Sequence, residues 1–363
     1  MSLSSVRLTV DLDALAANLA VLRDAAGGAE CAPVVKADGY GLGVGPVVRR
    51  LWREGVRSFF VARVAEGEAV RAALGPGRPA TVYVLDGLTP GAGPRLAAAG
   101  LTPALMSWAQ VEAAVALGGA GGAPLPVALH VDTGMNRQGL TPGEALALAA
   151  DRARLSRLEV GLVMSHLGSA AQPDDPRNRA QLERFREVRR RFPQSRASLA
   201  ASAGIFLGPD YRFEMVRPGV SLYGGGPQER PDARFAAVAR LEAPLLEGRE
   251  AAAGEAIGYG LAVRAPRTLR LGIVAAGYAD GIIRAAKGAG YAWAAGARRP
   301  LVIVTMNMIA IDLGDAVMAP GEPVELLGPN ALLDDQASAA GSVAHECLTR
   351  LSTVAERRYL GGD

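Results

Sequence analysis

The period of apolar and polar positions changes along this chain, and the change divides it. Arg7 to Val10 alternates and predicts a strand. Leu12, Leu15, Leu19 and Leu22 then recur every three or four residues, which predicts a helix with Asp11 or Asp13 at its cap. Short apolar runs alternate with helical patterns from there on. Strands are expected near 33–35, 58–62, 81–85, 102–106, 127–131, 160–165, 198–201 and 213–222. Helices are expected over 46–54, 65–73, 90–99, 109–117, 142–150 and 177–191. Eight apolar runs separated by helices predict an α/β fold, a (β/α)8 barrel. A doubly wound open sheet is the alternative, but no Gly-x-Gly-x-x-Gly opens a helix after a strand.

The pattern breaks at Gly224-Gly225-Gly226-Pro227 and the polar run to Asp232, which reads as a linker. Beyond it, strand-like alternation replaces helical spacing. Strands are expected over 269–275, 301–304, 308–313 and 323–327, with one helix near 331–339. The chain is therefore expected to form a barrel over 1–233 and a mainly β domain over 234–363, with the first strand free to join the second domain.

Composition narrows the function. Half of the 363 residues are hydrophobic, enough for large cores. The net charge of +3 comes from scattered arginines, and the densest basic run, Arg184 to Arg191, is interleaved with Glu187 at helical spacing. With no basic patch interleaved with aromatics, no nucleic-acid partner is expected. Cys31 and Cys347 are too few for a disulfide framework. His130, His166 and His345 are too far apart for a metal motif. No apolar run is long enough to cross a bilayer, and the N-terminus lacks the apolar core of a signal peptide. A cytoplasmic protein without a membrane partner is expected.

Lys36 stands out because Lys287 is the only other lysine. It ends an apolar run and opens the glycine-rich turn Asp38 to Gly43. A desolvated lysine can lose its proton and form Schiff bases, as an always-protonated arginine cannot. In barrels of this kind, chemistry sits where the strands end. Asp132-Thr133-Gly134-Met135-Asn136-Arg137, His166, Ser202 and Arg217-Pro218-Gly219-Val220 all fall on or near expected strand ends. Ser202, Gly204, Gly219 and Val220 offer a hydroxyl and backbone N–H groups for a phosphate. A lysine on one strand end and a phosphate cradle on others suggest pyridoxal 5'-phosphate.

These motifs, together with Leu222-Tyr223-Gly224, Gly258-Tyr259-Gly260 and Gly277-Tyr278-Ala279-Asp280-Gly281, run in the order found in alanine racemases, and the chain resembles that family over nearly its whole length. The resemblance implies a barrel, a C-terminal β-domain and a head-to-tail homodimer. It implies that Lys36 carries the cofactor and is one base, and that Tyr278 is the other, delivered by the partner subunit. It sets Arg217 against the pyridine nitrogen, and Arg137 on the cofactor's phenolic oxygen and the substrate carboxylate. Tyr40, Ser202, Gly219, Val220 and Thr353 would surround the phosphate. His166 would lie against the cofactor, and Met306 would offer its N–H to the substrate. The implied reaction interconverts L- and D-alanine, supplying D-alanine for peptidoglycan.

The chain departs from the family pattern at His130, where a lysine is usual, at Ala201 for asparagine, at Asn307 for aspartate and at Val302-Ile303 for Gly-Arg. A lysine carbamate cannot form at His130, so Arg137 must be oriented by something else. The alternatives are a racemase of broader substrate range, a decarboxylase of the same barrel class and a non-catalytic pyridoxal-phosphate-binding protein. The decarboxylases use a cysteine donor and an acidic partner for the cofactor nitrogen, which this chain lacks at the matching places. The non-catalytic proteins lack a β-domain.

Overall fold

Alternation in strand β1 (Arg7–Asp11) buries Leu8 and Val10 on one face. The strands that follow are short. They are β2 (Glu30–Cys31), β3 (Ser58–Val61), β4 (Thr81–Val84), β5 (Thr102–Leu105), β6 (Leu125–His130), β7 (Leu158–Met164), β8 (Arg196–Ser198) and β9 (Met215–Val216). Strands β3 to β7 are buried on both faces toward their C-terminal ends, as suits parallel strands covered by helices. This computed structural model describes residues 3–120, 123–260, 263–354 and 356–362. The chain forms two compact units, one of Leu19–Gly39 and Val44–Leu222, the other of Met1–Asn18, Tyr40–Gly43 and Tyr223–Asp363.

The first unit is a parallel barrel. Strands β3 to β8 form a six-stranded sheet in chain order, and β2 pairs in parallel with β9. Single bridges close the ring: Val34 pairs with Phe60, and Ala201 with Arg217. The interior is one cluster to which nearly every strand contributes, including Ala32, Phe60, Tyr83, Ala104, Ala128, Leu162 and Met215. Phe60 and Tyr83 stack at 4.6 Å. The expected strand over 213–222 is much shorter, ending at Val216. Pro218 has no N–H to give a ladder, and the Gly219 N–H goes to a side chain instead. The expected helix over 90–99 is confined to Gly93–Ala98, with Pro94 in its first turn.

The second unit is antiparallel. Its strands are β10 (Ala239–Ala251), β11 (Leu269–Val274), β12 (Tyr291–Ala294), β13 (Ala297–Val304), β14 (Ile309–Asp312), β15 (Pro323–Leu327) and β16 (Arg357–Leu360). Their order is β11-β14-β13-β12-β15-β10-β1-β16, and β10 also pairs with β11. The long β10 closes the sheet because a bulge between Leu245 and Glu247 lets one half pair with β15 and the other with β11. Strand β1 is antiparallel to β10 and parallel to β16. Residues 1–18 thus belong with the β unit.

Candidate active site

Lys36 follows Val35, whose N–H donates to the Phe60 carbonyl. The chain then turns left-handed: Ala37, Asp38, Gly39 and Tyr40 have φ of 53°, 55°, 63° and 57°. For the three that are not glycine this costs about 1–2 kcal/mol each. Three hydrogen bonds hold the turn: Ala37 N–H to Glu66 Oε1 at 2.9 Å, Gly39 N–H to the Val35 carbonyl at 3.0 Å, and Val44 N–H to Asp38 Oδ1 at 2.7 Å. Glu66 lies in the first turn of helix Val64–Leu74 and also accepts from Ala62 N–H. Strain held by surrounding structure is typical of functional segments. Burial holds the Lys36 ammonium below its ordinary range, and the Arg137 cation adds to the shift against Glu66 and Asp86.

Arg217 is buried, 3% exposed. Its guanidinium donates to Ser198 Oγ and to the Ser165 and Leu199 carbonyls. It lies 5.8 Å from the Phe60 ring, and among the described residues it forms no ion pair with a carboxylate. Burial pulls it down to about 9, so it stays cationic at neutral pH. His130 and His166 are both neutral there. Burial and then the Arg217 and Arg137 cations lower His130 to about 3 and push His166 well below its usual value. With the Gln138 amide as donor, His130 Nδ1 is the acceptor at 3.2 Å. His130, Arg137, Gln138, Ser165 and His166 line one small pocket. Arg137 itself is exposed, following Asn136 at φ 58°.

Ser202 lies beyond the end of β8, just before the turn Ala203–Leu207, and its Oγ accepts the N–H groups of Gly219 at 3.0 Å and Ser221 at 3.3 Å. Val220 is buried and opens the turn Val220–Tyr223. The Ser221 Oγ is fully buried and has no hydrogen-bond partner among the described residues. The barrel unit thus brings Lys36, Arg137, His166 and Arg217 into one electrostatic neighbourhood, and Ser202, Gly219 and Val220 into one cradle.

The β unit holds the others. Tyr40 is buried, stacked on Tyr223 at 4.5 Å and tilted against His345 at 5.9 Å. Tyr278 is 38% and Met306 is 56% exposed. They belong to facing turns: Tyr278 N–H donates to the Thr305 carbonyl and Ala279 N–H to the Met306 carbonyl, both at 3.0 Å. A Cβ on Gly277 would lie 2.2 Å from the Met306 carbonyl oxygen, so only glycine allows this approach. Thr353 is exposed and caps the arrangement, its Oγ1 donating to the Ala279 carbonyl at 3.1 Å. Sequence reading missed Glu66, Ser198 and Ser221. Ser221 lies two residues after Gly219 in a motif already singled out, whereas nothing in the sequence marked Glu66.

A closed parallel barrel with a tuned lysine and a buried arginine at its strand ends, followed by an antiparallel domain, defines a two-domain α/β-barrel protein with an active-site rim. The chain matches the family described as "Alanine racemase, N-terminal domain" over residues 10–227 and "Alanine racemase, C-terminal domain" over 238–359, and it belongs to the alanine racemase family. It is 44% identical to an alanine racemase of Methylobacterium nodulans, covering 98% of this chain and 96% of the relative. It is 42% identical to a catabolic alanine racemase of Mesorhizobium japonicum, covering 98% and 93%. Among solved structures it resembles the alanine racemase of Bartonella henselae with covalently bound pyridoxal phosphate. That match has a TM-score of 0.92 at 32% identity and covers 99% of this chain and all of that one.

Proposed function

We propose that this protein interconverts L- and D-alanine with pyridoxal 5'-phosphate, and that Lys36 and the partner subunit's Tyr278 are its two bases. The observation that carries the reading is Lys36 itself, a desolvated amine held on a strained turn at a strand end with Arg137 depressing its charge. The residues present fit the cofactor. The Ser202 hydroxyl, whose Oγ already holds the Gly219 N–H in place, the Gly219 and Val220 backbone turn and the Ser221 Oγ, without a partner among the described residues, suit a phosphate. Arg217, a buried cation with no carboxylate partner among the described residues, suits an electron-rich ring nitrogen. Tyr40 and Thr353 would complete the phosphate surroundings, and neutral His166 would lie against the ring.

When bound, the cofactor supplies an electron sink for the bond from the substrate Cα to hydrogen. Lys36 would hold it covalently and move a proton at Cα from one face. Tyr278 would move the proton at the opposite face. Racemisation needs both faces, because one loses the proton that the other gains. Arg137 would bind the substrate carboxylate, and the Met306 N–H would assist. Arg217 keeps its proton at neutral pH, so it stabilises ring charge less than an acid would, which limits side reactions of the substrate.

The exposed side chains of Tyr278, Met306, Met308 and Tyr259 on the β unit support a homodimer in which a second copy covers them. A cytoplasmic enzyme supplying D-alanine for peptidoglycan is the role proposed; among the described residues no helix is long and apolar enough to cross a membrane. A broader amino-acid range is the second reading, favoured by Asn307 at the exposed tip of the Thr305–Met308 turn in place of an aspartate. Polarimetry across a panel of amino acids, with pyridoxal phosphate supplied, tests both readings. L-Alanine should racemise fastest. A Schiff-base absorbance band that survives in Lys36→Ala would overturn the cofactor assignment.

A further inference from the structure

Helix Pro176–Arg189 sends three side chains toward the barrel rim. Arg177 and Arg184 are exposed along the surface and donate to the carbonyls of Gly134 and Thr133. Gln181 differs from both. It is fully buried and uses its donors and its acceptor on two separate strand ends. Its Nε2 donates to the His166 carbonyl at 2.9 Å and to Thr133 Oγ1 at 3.3 Å, while its Oε1 accepts from Gly168 N–H at 2.8 Å. Thr133 lies in the loop after β6 that carries Arg137, and His166 lies just beyond the end of β7.

The contacts continue inward. With Gln181 donating to it, the Thr133 hydroxyl is free to donate to Ser165 Oγ, 2.8 Å away and equally buried. The Ser165 carbonyl in turn accepts from the Arg217 guanidinium. One amide therefore ties the loop bearing Arg137 to the strand end bearing His166 and, through Thr133 and Ser165, to the seat of Arg217. Arg137 is exposed and depends on its loop for placement.

We propose that Gln181 is a positioning residue that fixes the Arg137 loop against the end of β7, and so sets how the substrate carboxylate is held. The substrate part of this inference rests on the function proposed above. Its cause is physical. Removing the amide takes away the partners of the His166 carbonyl and the Gly168 N–H at the junction of the two loops and one bond of the buried Thr133 hydroxyl, and a loop freed by 1 Å misplaces the group it carries.

Gln181→Met tests it, because methionine fills the same space without the hydrogen bonds. Two measurements are made on the cofactor-loaded enzyme, alongside Leu182→Ala, which empties a buried site on the same helix outside the network. Amide hydrogen exchange should quicken in segments 132–138 and 165–168 of Gln181→Met and in neither segment of Leu182→Ala. The KM for L-alanine should rise about tenfold in Gln181→Met with kcat nearly unchanged, the signature of lost ground-state binding. Leu182→Ala should lower the melting temperature and leave KM alone. If Gln181→Met does not fold, Thr133→Val breaks the same link from the other side and should give the same pattern.

Unchanged exchange in both segments would overturn the proposal, as would quickened exchange with an unchanged KM, or a KM shift of equal size in Leu182→Ala. A wild-type protein that does not racemise alanine would overturn the proposed function instead. The exchange measurement would still decide whether Gln181 ties the two strand ends.

Discussion

The barrel rim and the Tyr278 turn hold chemistry in opposite ways. On the rim Lys36, Arg217, His130 and His166 are buried or half-buried and Arg137 is exposed. Burial lowers all four of the former, neighbouring cations add to the shifts of Lys36 and the two histidines, and the histidines are left neutral. Side chains are gripped by side chains, as where Ser198 takes the Arg217 guanidinium. On the β unit, Tyr278 and Met306 are partly exposed, and the hydrogen bonds that join their turns run between backbone groups. The rim sets the ionisation of its groups within one chain. The turn sets only a position, which is what the role proposed for Tyr278 in a partner subunit requires.

That contrast predicts how substitutions should behave. Tyr278→Phe removes one hydroxyl from an exposed ring, so folding stability should stay within about 0.5 kcal/mol of wild type. Activity should nonetheless fall about 10²–10⁴-fold, the usual contribution of a general acid–base group. The loss should be one-sided: Cα deuterium exchange should collapse for one alanine enantiomer and persist for the other. Equal residual exchange from both would end the two-base reading. Gly277→Ala attacks the position rather than the hydroxyl. The added Cβ would lie 2.2 and 2.3 Å from the Met306 and Thr305 carbonyl oxygens, so the two turns must part. A 1 Å displacement is expected to cost about 10²-fold in kcat/KM, with the cofactor absorbance band intact. A fully active Gly277→Ala would mean that the turn tolerates movement.

On the rim the balance reverses. Ser202→Ala leaves the buried Gly219 and Ser221 N–H groups without their acceptor. Stability of the cofactor-free protein should fall by about 1–3 kcal/mol, read from urea unfolding, and cofactor affinity should fall with it. No stability change would show that the two N–H groups find another acceptor.

The sequence predicted best where burial enforces one period. The expected strand over 58–62 is found as Ser58–Val61, and the helix over 142–150 and the strand over 323–327 coincide with Pro142–Ala150 and Pro323–Leu327. Tyr291–Ala294, Arg357–Leu360 and helix Ala344–Arg350 were not anticipated; each is short, and the two strands are half-buried with mixed composition. The site was legible where a residue is rare. Lys36 is one of two lysines, whereas Glu66 and Gln181 are common polar residues that matter through burial and partners. The glycine-rich turn was expected after Lys36. That Ala37, Asp38 and Tyr40 share its left-handed backbone was not, because such geometry is imposed by the bonds around it.

The smallest effect separates the two regions by pH. His130 and His166 refuse a proton in the folded chain, His130 down to about pH 3, whereas in the unfolded chain a histidine takes one up near 6.5. Above pH 6.5 they are neutral in both states and add no pH dependence. As the pH falls below 6.5 the unfolded state binds protons that the folded state does not, so stability must fall, by up to about 1.4 kcal/mol per pH unit for each histidine. For His130 this continues until about pH 3, where the folded side chain protonates. Carboxylates join below about pH 5, which leaves pH 5 to 6.5 as the clean window. In that window the urea midpoint of the wild-type protein should drop with falling pH, and His130→Asn should remove roughly half of the slope. Tyr278→Phe, altered only on the exposed turn, should keep all of it. A slope unchanged in His130→Asn would mean that burial and the cations of the rim do not hold this imidazole neutral.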